Sequence, residues 1–181
     1  MSQDNPLAAL LRLSAQPRKP RVFVSYHHDI DQVSYNRFST LFGGAYDVFT
    51  DTSLDRSVDS TNAEYLTRSI RENNINNSST TLVLCGSATW KRRWIDWEID
   101  MTLRKQHALL AIVLPSQPWN SQNSYFWPDR LFDNLQSGYA HWVYWTEDAA
   151  VVRLAISTAR NRARFTAKIA NSRARMERSR P

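Results

Sequence analysis

Thr80–Asp100 reads TTLVLCGSATWKRRWIDWEID, and the fold turns on this stretch. Thr80 to Cys85 is a short β-rich run, Gly86 breaks it, and a helical pattern extends over Trp90–His107. At about 100° per residue, Ile95, Ile99 and Leu103 form one apolar stripe, the natural core face, while Trp94, Trp97 and Met101 form another. Glu98 falls between the stripes, one turn after Trp94. A carboxylate wedged among aromatic and apolar neighbours is partly desolvated, so its pKa is expected to rise and it should interact strongly with a cation brought beside it. The plainer alternative is a solvated glutamate at a helix edge, paired with Arg92 or Lys105.

The alternation of strand and helix continues on both sides. Upstream, Val22 to Tyr26 (VFVSY) is apolar on both faces, as suits a strand covered on both sides. Asp29–Phe42 follows with helical spacing of Val33, Phe38, Leu41 and Phe42, stopped by Gly43-Gly44. Tyr46–Thr50 is a second strand, Asp51–Asn62 a polar loop, and Ala63–Asn73 a helix with Ala63, Leu66 and Ile70 on one face. Downstream, Leu109–Leu114 is a fourth strand ended by Pro115. Residues 115–137 read as a long aromatic-rich loop with one short helix, whose aromatics are expected mostly to pack onto the body. His141–Trp145 is a fifth strand, and a last long helix starts near Glu147 or Asp148, whose charges suit its first turn.

Such alternation implies a parallel sheet with helices on both faces. Five strands suggest an α/β, flavodoxin-like sheet of order 2-1-3-4-5, with ligands at the carboxyl ends of the strands near the switch point. His27-His28-Asp29, Asp51–Asp55 and Gly86–Trp94 would then surround one crevice. The polar loop after the second strand could bind a ribose or a cation, although Asp, Ser and Thr also favour ordinary turns. No G-x-G-x-x-G or phosphate-cradling P-loop is present. No third ligand at a telling spacing joins His27 and His28 in a metal site. Ser25 lacks a glycine-flanked nucleophile elbow. A phosphoacceptor receiver would want an aspartate where strand three ends in Cys85-Gly86.

The 181 residues, 42% of them hydrophobic, suit one globular domain, and no apolar run approaches the ~20 residues of a spanning helix. A single cysteine, Cys85, excludes an intrachain disulfide and a cysteine-based zinc site, and fits a reduced cytosolic setting. The apolar patch Leu7–Leu11 precedes Arg12, the reverse of a secretory signal. The formal charge of +6 is lopsided: residues 160–181 hold eight Lys/Arg and one acid, leaving the remainder at −1. The basic pI therefore belongs to a tail. Val152, Ile156, Ala159, Ala163, Ala167, Ala170 and Ala174 recur at helical spacing there. The tail reads as a basic amphipathic helix, either solvated and frayed or binding an acidic partner or a second copy. Nucleic acid is not expected, because the body carries no recognition motif of a known class. The expected layout is a leader and linker over 1–20, a domain over 21–158, and a basic C-terminal helical extension over 159–181.

RVFVSYHHD resembles the opening strand of TIR domains, with its Phe-x-Ser-Tyr/Phe pattern. TTLVLCGSATWKRRWIDWEID resembles the TIR strand, loop and helix that carry a catalytic glutamate four residues after a Trp, here Glu98 and Trp94. The arrangement is most similar to the TIR-like ThsB proteins of bacterial Thoeris anti-phage defence, over roughly residues 20–114. The resemblance implies a TIR fold and a cytoplasmic enzyme that takes NAD as substrate and needs no cofactor. Such an enzyme cleaves the nicotinamide–ribose bond and makes a cyclic ADP-ribose isomer, which activates a ThsA-type effector. It further implies Glu98 as the catalytic carboxylate and Trp94 beside the reacting ribose. Ser25, Tyr26 and His27 would line the cleft, and Asp51 and Ser53 would belong to a loop over it. A phage protein as trigger and a homo-oligomer also fall within the resemblance. Some TIR-like domains are scaffolds, so a non-catalytic adaptor that assembles through protein contacts is the competing expectation. The chain also lacks the glycine or proline common in many TIR loops after strand two.

Overall fold

The computed structural model describes residues 19–49, 61–119 and 125–181, with Phe49 and residues 61–67 described in backbone only. In chain order the elements are β1 (Arg21–Ser25), α1 (Gln32–Phe42), β2 (Asp47–Phe49), α2 (Thr61–Asn76), β3 (Thr80–Cys85), α3 (Arg93–Arg104), β4 (Ala108–Val113), α4 (Asp129–Gln136), β5 (His141–Tyr144) and α5 (Ala149–Arg162). All strand pairs are parallel and the sheet order is β2-β1-β3-β4-β5, as the α/β flavodoxin-like reading expects. Ser25 pairs with Val83 and Cys85 with Val113, so the carboxyl ends of the central strands lie together.

Strand parity sorts the core into two layers, because successive side chains point to opposite faces. On one face Val22, Val24, Leu82, Leu84, Leu110 and Ile112 pack against Phe38 and Phe42 of α1 and against Val152, Ala155, Ile156 and Ala159 of α5. On the other, Val83, Cys85, Leu109 and Ala111 meet Ile95, Ile99 and Leu103 of α3, the stripe expected to face the core. Beside it Phe23 lies under Ile75 of α2 and under Trp97 and Met101 of α3. That shared support brings α2 against α3.

Two helix faces differ from expectation. Val33 is 80% exposed and Ile70 is 44% exposed. The inward face of α2 carries Arg71 and Ile75 instead, positions i and i+4 of one stripe. A polar residue occupies the first of them, so an apolar count misplaces the face. Ala63 and Leu66 lie outside the described side chains.

The tail is the larger correction. Helix α5 ends at Arg162, a 3₁₀ turn spans Thr166–Lys168, and residues 169–181 are irregular; the helical extension expected over 159–181 stops at Arg162. The chain turns back along α4 and α3. Ala170 N–H donates to Asn134 Oδ1 at 3.1 Å and Asn134 Nδ2 donates to Ala170 O at 2.8 Å. Met176 N–H donates to Asp96 Oδ2 at 2.8 Å, and Arg180 N–H donates to Lys91 O at 2.8 Å. An alanine-spaced helix running past the body would leave those bonds unmade and would crowd its arginines together. Helical periodicity alone is a weak force over so short a length. The acidic partner that the tail's charge calls for is the chain's own α3 and α4.

Candidate active site

Gly86 and Thr89 shape the turn into α3. The Gly86 N–H donates to Thr89 Oγ1 at 2.8 Å, and the single Thr89 hydroxyl hydrogen is within reach of both Leu84 O at 3.1 Å and Asp31 Oδ2 at 3.3 Å. A Cβ at Gly86 would collide with the Asp31 carboxylate, so only glycine admits that close approach. Burial pushes the Asp31 carboxyl up to about 6, against the opposing hydrogen bond from Thr89. After a 3₁₀ turn at Thr89–Lys91, α3 begins at Arg93, three residues later than the pattern suggests. Its first turn is served from the tail: the Arg93 N–H donates to Ser179 Oγ at 3.2 Å.

The cleft lies at the switch point, where the ends of β1 and β3 part. It encloses about 240 Å³ and its walls include Tyr26, His27, Arg71, Arg92, Trp94 and Glu98. That volume takes a nucleoside-sized group and is smaller than the 300–1,000 Å³ that commonly enclose a whole ligand. Glu98 is only 3% exposed. Ser25 Oγ donates to Glu98 Oε2 at 2.5 Å, and Arg71 Nη1 forms an ion pair with Glu98 Oε1 at 2.9 Å. The Arg71 guanidinium also lies 4.6 Å from the centre of the Trp94 ring, with Arg93 at 4.9 Å from the same ring. Trp97 meets Trp94 edge-on at 6.0 Å. A planar cation over an aromatic face is held both by charge and by stacking.

His27 is buried and its Nε2 faces an Arg92 guanidinium nitrogen. Burial, and then the Arg92 charge, hold the imidazole below its ordinary pKa, with Asp29 pulling the other way. Tyr26 stacks on Tyr35 at 4.5 Å and its hydroxyl donates to Gln32 at 2.9 Å. Among the described residues, no three His, Cys, Asp or Glu side chains converge as a metal ion would need, and no helix is long and apolar enough to cross a membrane.

The structure thus brings Tyr26, His27, Trp94 and Glu98 to one cleft, with Ser25 bonded to the glutamate. Asp51 and Ser53 lie outside the described residues. Glu98 is neither solvated nor paired with Arg92 or Lys105: its cation is Arg71, which sequence reasoning missed together with Ser179. An arginine at i of an i, i+4 stripe with Ile75 is the signal that could have found the first. Nothing local announces the second, which reaches the cleft only because the tail folds back.

These features define a TIR-like α/β domain with a carboxylate set in a switch-point cleft. The model of the family described as Thoeris protein ThsB, TIR-like domain, matches residues 23–118, more than half of the 181-residue chain, and the chain belongs to that family. A curated protein of Bacillus cereus (strain MSX-D12), named "Putative cyclic ADP-D-ribose synthase ThsB1", is 34% identical over 98 residues, which cover 51% of this chain and 50% of that protein. The chain therefore matches about half the length of this curated relative. The TIR domains of the activated Roq1 resistosome align over 82% of this chain and 84% of theirs, at 14% identity and a TM-score of 0.40, a loose likeness of architecture.

Proposed function

We propose that this protein cleaves the nicotinamide–ribose bond of NAD and forms a cyclic ADP-ribose isomer, with Glu98 as the carboxylate at the reacting ribose. The observation that carries the reading is a buried glutamate, fixed by Ser25 and Arg71, opening into a nucleoside-sized cleft beside Trp94. The name of the Bacillus cereus relative points the same way.

In the proposed reaction the ribose C1–nitrogen bond breaks and its electron pair leaves with nicotinamide as a neutral ring. Positive charge develops at C1, as in glycoside cleavage. A fixed carboxylate in a partly dry cleft stabilises that charge without having to reorganise. A hydroxyl of the same ADP-ribose then bonds to C1 and its proton passes to solvent. Trp94 would lie along the ribose and help exclude competing water, while Tyr26 and His27 would close the wall from β1. The diffusible product would activate a ThsA-type effector, with a phage component as the trigger.

Nicotinamide release from NAD, followed with mass analysis of the product, tests this. Wild type should give a product of cyclic ADP-ribose mass, and Glu98→Gln should release nicotinamide about 10²–10³-fold more slowly. Equal rates in the two proteins would refute the role of Glu98. Because infection or assembly can switch such enzymes on, lysates of infected and uninfected cells are compared.

A second reading, an assembling adaptor, draws on the edge of the sheet. Trp142 and Tyr144 of β5 cluster edge-on with Tyr125, and Trp119 meets Tyr125 at a tilt with ring centres 4.2 Å apart while remaining 55% exposed. Trp127 packs against the core and Phe126 stacks on Trp90, so the loop's aromatics divide between body and surface. Absence of turnover in both lysates would favour this reading.

A further inference from the structure

We propose that Arg71 is the specificity-determining, phosphate-binding residue of this cleft, and that a substrate carrying both charges separates it from Glu98 on binding. The inference rests on Glu98 facing the reacting ribose. It concerns a residue supplied by α2, and the charge it sets beside the carboxylate.

Arg71 is an expensive residue to hold where it is. Its side chain is 2% exposed, as deep as the Glu98 it faces at 4%. A buried ion pair is weak ground for stability, since apolar residues of similar volume commonly serve as well or better. This pair sits in the wall of a cleft, so both its members are presented to whatever enters. Trp94 holds the guanidinium from one side, leaving it oriented.

Where it stands, the pair also blunts the chemistry. A carboxylate whose charge is balanced by a guanidinium at 2.9 Å offers less to a carbon that is becoming positive. An NAD-like substrate supplies a better partner to each member. Its phosphates offer the paired oxygens that a guanidinium fork binds, and its cationic pyridinium-bearing ribose draws the carboxylate. Exchanging one ion pair for two leaves no buried charge uncompensated. A substrate without phosphate cannot make the exchange, so Arg71 would select for phosphorylated forms and tie release of the carboxylate to their arrival. Arg92, already turned toward His27 on the cleft wall, is a second cation placed for the same anion.

The test is equilibrium binding of ADP-ribose, with adenosine as the phosphate-free control, to the full chain. ADP-ribose has the phosphates and lacks the nicotinamide, so turnover does not intervene. Glu98→Gln should bind ADP-ribose severalfold more tightly than wild type, because Arg71 no longer has to leave a carboxylate. That gain of affinity is not something a misfolded protein can show. Arg71→Gln combined with Glu98→Gln, which removes both charges together, should lose at least tenfold relative to Glu98→Gln alone, and adenosine should not follow either change. Unchanged affinity in Glu98→Gln, or a double variant that binds like Glu98→Gln, would each overturn the proposal.

A turnover arm separates this from the enzymatic reading. Nicotinamide release from NAD, nicotinamide mononucleotide and nicotinamide riboside is compared in wild type, Arg71→Lys and Arg71→Ala. The preference for the two phosphorylated substrates over the riboside should shrink at least tenfold in Arg71→Ala and less in Arg71→Lys. The expected binding shifts without turnover of NAD in lysates of infected and uninfected cells alike would sink the enzymatic reading and keep the phosphate site. Turnover with an undiminished preference in Arg71→Ala would do the reverse.

Discussion

Helix α3 buries three acids within five residues, and they are held in two different ways. Asp96 and Asp100 face α4 and the tail. Arg130 grips Asp96 with two nitrogens at 2.9 and 3.3 Å and reaches Asn171 at 2.5 Å. Met176 N–H adds a bond to Asp96, and Arg104, Asn171 and Arg175 all donate to Asp100. Although burial opposes ionisation of Asp100, the bonds from Arg104, Asn171 and Arg175 together with the Arg175 charge hold its carboxyl below the usual range. Glu98, between them, faces the other way, into a cleft with Ser25, Arg71 and Trp94. The difference teaches how a helix can be anchored and reactive at once. The acids closed over by their own chain stabilise, and the acid left beside open volume is the one a ligand can reach.

The comparison can be broken first at Arg130. It is fully buried and links α3, α4 and the tail. Arg130→Met should lower stability by about 3–5 kcal/mol by stranding Asp96, read by chemical denaturation. A loss below about 1 kcal/mol would mean that the trench of bonded aspartates between α3, α4 and the tail does not anchor the helix.

On the reactive side, Ser25→Ala removes the hydroxyl that points Oε2 of Glu98. A hydrogen bond to a charged group is worth about 1.5–3 kcal/mol, so nicotinamide release should fall about tenfold or more. The loss should appear in kcat, with KM little changed. An equal loss confined to KM would assign the serine to substrate binding instead.

Asp31 supplies a smaller effect with a defined sign. Its carboxyl is raised from 3.8 to about 6 by burial, so between those values the folded state holds the proton more tightly than the unfolded state. Stability contributed by this group is full below about pH 4, falls as pH rises toward 6, and is flat beyond. Asp31→Asn should therefore stabilise the protein at pH 8, by at most about 3 kcal/mol, and leave it near wild type at pH 4, measured by denaturation at both values. A gain that is the same at both would show that the carboxyl does not titrate as described.

The smallest effect is expected at the rim. Arg173 pairs with Asp133 at 2.9 Å while 45% exposed, and exposed pairs contribute about 0–1 kcal/mol. Arg173→Ala should sit within that range. A larger loss would extend the anchoring trench out to the surface.

Much of the fold was legible because strands and helices write their periods locally. Val22–Tyr26, Thr80–Cys85 and Leu109–Leu114 lie within a residue of β1, β3 and β4, and the Ile95, Ile99, Leu103 stripe meets the sheet. Glu98 beside Trp94 was equally visible, since both stand on one helix. The readings that failed depend on distant partners. Apolar periodicity groups Ile70 with Ala63 and Leu66 on one face and carries no information about a buried arginine, and alanine spacing makes the tail a helix because it carries none about four aspartates on other helices.

By itself the sequence determined the α/β alternation and the switch-point crevice, for these follow from side-chain periods of about 2 and 3.6 residues and from chain order, whereas Glu98 was singled out by the resemblance to TIR domains. Only the tertiary structure decided which cation meets that glutamate and where the basic tail goes. A buried charge is settled by whichever partner the packing brings within a few ångströms, and Arg71 and Glu98 are separated by a strand and two turns of chain. The same holds for the tail, where the aspartates of α3 and α4 offer Arg173, Arg175 and Arg180 charge-assisted bonds that helix propensity cannot match.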